Sequence, residues 1–238
     1  MKLRVGTFNL YQFVEPPYAC YTRKGKYNQR QWLEKTLWIK KQIHDMDCDI
    51  IGFQEVFSKE ALETLVKELG FEHFATVDDA KLSETTPTKY ITTTVAIGSK
   101  YPITNIQGVD LHAPSLEKHH FNDDFVFSRD PIKATISLPN EKEILVYVCH
   151  LKSNRLNAFE YVFKKEDTLV QKKERVFKIM EEKQSKALRQ RLCEASSLFY
   201  DIQSSQQLPT VLMCDLNDKE YSLTIDALTN PAYHDDTS

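Results

Sequence analysis

VLMCDLND, residues 211–218, is an apolar run that ends in two acids and an amide. In an extended strand, positions two apart share a face. Val211, Met213, Asp215 and Asn217 therefore point one way, so a carboxylate and a carboxamide continue the face that a core should claim. Three other runs end alike. In LRVGTFNL (3–10), Leu3, Val5 and Thr7 are in phase with Asn9; in DIIGFQEV (49–56), Ile51 and Phe53 are in phase with Glu55. In EILVYVCH (143–150), Ile144, Val146 and Val148 are in phase with His150.

Burying such a group unpaired costs ~2–7 kcal/mol, and more for a charge. Taken singly, His150 reads as a satisfied strand-end histidine, Glu55 as a solvated terminus and Asn9 as a turn cap. Four cases along one chain point instead to strand ends that meet around a ligand. The set is rich in oxygen with one imidazole, which suits a hard divalent ion such as Mg²⁺ better than a zinc cage.

The chain has 238 residues, 41% apolar and 27% charged, with a formal net charge of −3. That is ordinary globular composition, without the basic bias of a dedicated nucleic-acid or membrane-surface module. No run approaches a transmembrane span, and MKLRVGTFNL has no signal-peptide core. The five cysteines form no C-x-x-C, and Cys149 and Cys214 lie in apolar runs as small hydrophobes. This reads as a reduced, cytoplasmic protein.

Further strand-like runs fall at 92–99, 125–129 and 132–138. From Trp32, the residues Leu33, Leu37, Ile39, Ile43 and Met46 make a helical stripe, and both tryptophans read as core. Ser58 is placed to cap a second helix that Gly70 ends. Residues 157–200 lack Gly and Pro and read as mostly helical. Within them, 164–191 carries ten Lys/Arg against five Asp/Glu and reads as a solvated face. Residues 112–124 hold His112, His119, His120, Asp123 and Asp124, but the spacing fits no standard metal site and implies a polar loop. The sum is an α+β arrangement, sheets buried beneath helices.

Six motifs occur in order: LRVGTFNL, DIIGFQEV, SKYPI (99–103), FSRDP (127–131), VCHLKS (148–153) and LMCDLND (212–218). In these the chain resembles the endonuclease/exonuclease/phosphatase superfamily, the deoxyribonuclease-I-like metal-dependent phosphoesterases, from Lys2 to about Asp226. The resemblance implies one domain over 1–238, a two-sheet β-sandwich flanked by helices in four αββα layers. It makes Glu55 the principal metal ligand with Asn9 beside it, for Mg²⁺ or in its place Mn²⁺. It makes Asp215 and Asn217 the residues that orient or deprotonate the attacking water and hold the phosphate. His150 becomes the imidazole that hydrogen-bonds the phosphoryl oxygens, and Arg129 a phosphate contact.

The family usually closes with a Ser-Asp-His motif several dozen residues after Asp-x-Asn. The sequence here runs to NPAYHDDTS, so the resemblance implies a C-terminally incomplete domain with its last strands missing and with weakened catalysis. His234 with Asp235 and Asp236 comes too early to replace that motif. Cys214 also stands where the family usually has Gly. The implied activity is hydrolysis of phosphodiester bonds, nuclease-type, with a phosphoester such as nucleic acid as substrate and no obligate protein partner. The alternatives are a phosphatase or phosphodiesterase on inositol phosphates or lipids, and a binding module of the same fold.

Overall fold

The structure is a computed structural model and describes residues 2–22, 24–122, 124–154, 166–174, 185–205 and 207–235. Strand β1 (Val5–Phe13) pairs in parallel with β3 (Ile50–Val56), Asn9 opposite Gln54. β7 (Thr94–Ser99) and β4 (His73–Ala75) complete a sheet of order β1-β3-β7-β4. A second sheet joins β8 (Ile103–Gly108), β9 (Ile132–Ser137), β10 (Glu143–His150) and β11 (Thr210–Asp215) in the order β11-β10-β9-β8. β10 and β11 run parallel, with His150 opposite Asp215. A small third sheet holds β2 (Ala19–Cys20), β5 (Leu82–Ser83) and β6 (Thr86–Tyr90).

The apolar run in β3 is explained by burial on both faces. Ile51 and Phe53 pack with Ile39 and Ile43 of α1 (Gln29–Met46) and with Leu62 and Val66 of α2 (Lys59–Lys67). Ile50, with Val95 and Ile97, packs instead on Ile132, Ile136, Val146, Val148 and Met213 of the second sheet. The sheets close tightly at Gly52, where an added Cβ would lie 2.9 Å from the Met213 Cβ. This is the two-sheet sandwich with flanking helices that the sequence implies.

Several local expectations are corrected. α1 starts at a capping box, the Asn28 side chain on the Gln31 N–H and the Gln31 side chain on the Asn28 N–H. Its inner face is Ile39 and Ile43, whereas Leu33, Leu37 and Trp38 are exposed. Ser58 makes no capping bond; its hydroxyl accepts the Glu15 N–H instead. Residues 125–129 form no strand, because Ser128 gives its N–H to Glu194 and Pro131 has none to give. Residues 112–124 are not simply a loop: α3 (Ala113–Lys118) forms there, and Asp123 lies outside the described residues.

The free-thiol reading fails for two cysteines. Cys149 and Cys214, opposite one another on β10 and β11, are joined in a disulfide, while Cys20, Cys48 and Cys193 are free and buried. In the charged run, residues 166–174 are largely exposed, but Arg191 on α4 (Lys186–Ser204) is buried and ion-paired rather than solvated. Residues 155–165 and 175–184 of the expected helical stretch lie outside the described residues. α5 (Leu223–Thr229) and a 3₁₀ turn (Pro231–His234) follow. No helix among the described residues is long and apolar enough to cross a membrane.

The chain divides into two compact units. The first, Met1–Val109 with Arg129–His150 and Ser205–Asp215, contains all three sheets with α1 and α2. The second, Asp110–Ser128 with Leu151–Ser204 and Leu216–Ser238, contains α3, α4 and α5.

Candidate active site

Asn9, Glu55, Arg129, His150 and Asp215 all belong to the sheet unit. The strand phases are regular for Asn9, His150 and Asp215 but not for Glu55. Ile51 and Phe53 face the helices, so simple alternation would send Glu55 away from the second sheet. The register of β3 shifts between Phe53 and Val56, and Glu55 takes a left-handed backbone with φ 60°. A bulge of this kind re-aims one side chain. The Glu55 carboxylate thereby meets Asn9, which sits on the other strand face.

Asn9 is the hub. Its Nδ2 donates to Asp215 Oδ2 at 2.7 Å and lies 3.5 Å from Glu55 Oε1. Its Oδ1 accepts the Tyr11 N–H at 2.8 Å, and Glu55 Oε2 accepts the Gln12 N–H at 2.7 Å. Tyr11 and Gln12 are also left-handed, at φ 49° and 62°. Non-glycine residues held there cost ~1–3 kcal/mol each, and such strain gathers at functional sites. The turn is held by Lys35, whose Nζ donates to the Leu10 and Tyr11 carbonyls, both at 2.9 Å. Burial pulls the Lys35 ammonium below its ordinary pKa, and Glu55 opposes that shift.

His150 is buried, with Nε2 3.7 Å from Asp215 Oδ2. Its pKa is pushed down to about 3, chiefly by burial; the Arg129 charge adds to this and Asp215 opposes it. At neutral pH the imidazole is therefore uncharged, and the 3.7 Å approach is no ion pair. Its Nδ1 is buried without a hydrogen-bond partner among the described residues. Buried polar atoms are nearly always satisfied, so a ligand oxygen or a water is the expected partner here.

Arg129 reaches His150 electrostatically and hydrogen-bonds the Tyr21 hydroxyl. Tyr21 itself is left-handed at φ 58°, and its ring stands edge-on to Phe57 at 5.3 Å. Sequence phase finds neither Lys35 nor Tyr21: one lies on a helix, the other follows a two-residue strand. The available signal is compositional, a Tyr- and Lys-rich stretch from 18 to 35 beside the first strand end.

Asn217 belongs to the helical unit. It has φ 51°, and its Nδ2 donates to the Leu151 carbonyl at 2.9 Å. In the same unit Asp218 pairs with Arg191 at 3.1 Å and accepts from the Thr224 hydroxyl at 2.6 Å. His234 donates through Nε2 to the Ala227 carbonyl at 2.9 Å and stacks on Phe199 at 4.2 Å; Asp236 lies outside the described residues. Among the described residues no group of three His, Cys, Asp or Glu is arranged to hold a metal.

The sequence matches no family model and no curated protein. Solved structures do match. The human Nocturnin catalytic domain, with bound sulfate, superposes at TM-score 0.57 and 15% identity over 86% of this chain and 64% of that one. An endonuclease/exonuclease/phosphatase family protein from Bacteroides thetaiotaomicron gives 0.52 and 17% over 95% and 68%. A mannosyl-6-phosphatase of the same organism gives 0.51 and 16% over 96% and 70%. The chain thus spans less than two thirds of the Nocturnin domain, and its fold is the deoxyribonuclease-I-like fold of these proteins.

Proposed function

We propose that this chain is a phosphoester hydrolase of the endonuclease/exonuclease/phosphatase superfamily, acting with Mg²⁺ on phosphodiesters in the manner of a nuclease. One observation carries the reading: a single amide, Asn9 Nδ2, stands between carboxylates from two different sheets, 2.7 Å from Asp215 and 3.5 Å from Glu55. The donor set fits a hard divalent ion. Glu55 gives one carboxylate oxygen to the Gln12 N–H and has only the long 3.5 Å approach of Asn9 Nδ2 on the other, and the Asn9 carbonyl oxygen accepts one N–H, that of Tyr11, among the described residues.

Glu55 and Asn9 are then the metal-holding residues. A bound Mg²⁺ supplies Lewis acidity to the phosphoryl oxygen and charge to steady the leaving oxyanion. The remaining work falls to the chain. Asp215, fixed by Asn9, aligns the attacking water and takes its proton. Asn217 holds a phosphate oxygen. His150, neutral at working pH, donates one N–H to a phosphoryl oxygen without adding charge, and Arg129 supplies the cation. The sulfate bound to Nocturnin and the activity in the mannosyl-6-phosphatase's name favour a second reading, a phosphomonoesterase built on the same groups.

The test uses bis(p-nitrophenyl) phosphate and p-nitrophenyl phosphate with Mg²⁺, and Mg²⁺ calorimetry beside them. Glu55→Gln should lose both hydrolysis and Mg²⁺ binding. Asp215→Asn should keep the metal and lose ~10²–10⁴ in rate. Preference for the monoester would select the phosphatase reading. Hydrolysis that survives both substitutions overturns the site. Mg²⁺ binding without hydrolysis of either ester by the unaltered chain leaves a binding module.

A further inference from the structure

Two buried charges in the helical unit have no part in the chemistry above. Arg191 is 2% exposed and Glu194 1% exposed, one turn apart on α4. Burying an ion costs several kcal/mol unless its partners are well placed, and a well-packed apolar pair often serves stability as well or better. What these two side chains hold is therefore informative.

Glu194 accepts two backbone donors from different loops, the Ser128 N–H at 2.8 Å and the Lys152 N–H at 2.7 Å. Gln190, one turn back, donates to the Ser128 hydroxyl at 3.0 Å. The Arg191 guanidinium donates to Asp218 Oδ2 at 3.1 and 3.2 Å and to the Thr224 hydroxyl at 3.2 Å. It makes longer contacts, 3.4 Å each, to the Lys152 carbonyl and to Asn154 Oδ1. One helical turn thus binds three segments: Ser128, next in the chain to Arg129; Lys152–Asn154, just after His150; and Asp218, three residues after Asp215. Two of these segments are also tied to each other, because Asn217 Nδ2 donates to the Leu151 carbonyl.

We propose that Arg191 and Glu194 are positioning residues for the hydrolytic reaction: together they set the Leu151–Lys152 turn and the Asn217–Asp218 turn, so that Asn217 is presented to the phosphate in one orientation. The inference rests on the functional reading above. Arg191 acts on Asn217 through Asp218, whose carboxylate is gripped from three directions by Arg191, Thr224 and the Lys219 N–H. Glu194 acts through Lys152, one residue beyond the carbonyl that Asn217 holds. Asn217 itself is left-handed, a conformation that asparagine tolerates, so fixing its neighbours fixes both adjoining peptide planes.

The test uses Glu194→Gln, which replaces one of the two accepting oxygens by a donor, and Arg191→Lys, which keeps the charge and loses the planar fork. Each is measured for kcat and KM, for thermal stability, and for the side-chain amide resonances of Asn217 in a ¹⁵N spectrum. In folded variants kcat should fall ~10- to 100-fold, the cost of a small misplacement, with KM within about threefold and the pH profile unmoved. The Asn217 amide pair should shift in both. Folded variants with wild-type kcat and unmoved Asn217 resonances overturn the proposal, as does a fall in kcat with those resonances unmoved. If the unaltered chain hydrolyses neither ester, the functional reading fails by itself, and the Asn217 resonances then decide the positioning claim alone.

Discussion

In the sheet unit, Asn9, Glu55 and Asp215 are half-buried and stand where apolar strands run out. In the helical unit, Arg191, Glu194 and His119 lie inside, each no more than 5% exposed, and the first two are spent on loop backbone and on Asp218. The first pattern leaves polar groups half-buried at the ends of apolar strands and bonded to one another, as the proposed site requires. The second consumes them internally, as holding loops requires. Stability and chemistry should accordingly respond to different substitutions, and the comparison can be broken at either unit.

The largest effect is expected at the Cys149–Cys214 disulfide of the sheet unit, which closes a separation of 65 residues and sits one residue before His150 and Asp215. Its loss by a dithiol reductant, or by Cys149→Ala with Cys214→Ala, should cost ~2–4 kcal/mol. For a chain of this size that lowers Tm by roughly 4–16 °C. An unmoved Tm under reduction would show that the parallel β10–β11 ladder alone fixes the end of the second sheet.

How far the sequence reveals this molecule follows the same division. The phases of Asn9, His150 and Asp215 are legible because a strand alternates strictly and the core claims one face. Glu55 is singled out by its motif while its phase misleads, since only the bulge in β3 brings it to Asn9. The disulfide is hidden because it depends on the register between two strands far apart in the chain. Arg191 and Glu194 are hidden for another reason. A charged residue in a charge-rich helix reads as solvated, and only the polar run beneath a buried stripe, RLCEASSL at 191–198, hints otherwise.

A smaller effect, and one that separates chemistry from stability, is expected from Asn9→Ala. It removes the donor shared by Asp215 and Glu55 and leaves two carboxylates without their bridge. The rate should fall ~10²-fold, as for loss of one preorganised donor. The folding free energy should change by only about 1 kcal/mol, the net worth of one hydrogen bond. Kinetics and denaturant unfolding of the same variant measure both. A loss of stability without a loss of rate would make Asn9 a structural residue, like those of the helical unit.

The smallest effect tests the helical unit through pH. His119 is buried, its Nε2 has no hydrogen-bond partner among the described residues, and its pKa is pushed down to about 4. Burial is the main cause; the charges of Lys118, His120, His234 and Arg189 add to it. His112 and His234, in the same unit, are also depressed, first by burial. A histidine whose folded pKa lies below its unfolded value near 6.5 favours folding fully above 6.5. That contribution is lost as pH falls, because the unfolded chain takes the proton first, and the loss ends near the folded value of about 4. Stability should therefore decline from pH 7 to 5 by at most about 1.4 kcal/mol per pH unit for each such group. His119→Phe should flatten the decline by one group's share, about 2 kcal/mol between pH 6.5 and 5. Chemical denaturation at four pH values reads the slope directly; an equal slope in wild type and variant would mean that His119 takes up its proton inside the folded chain.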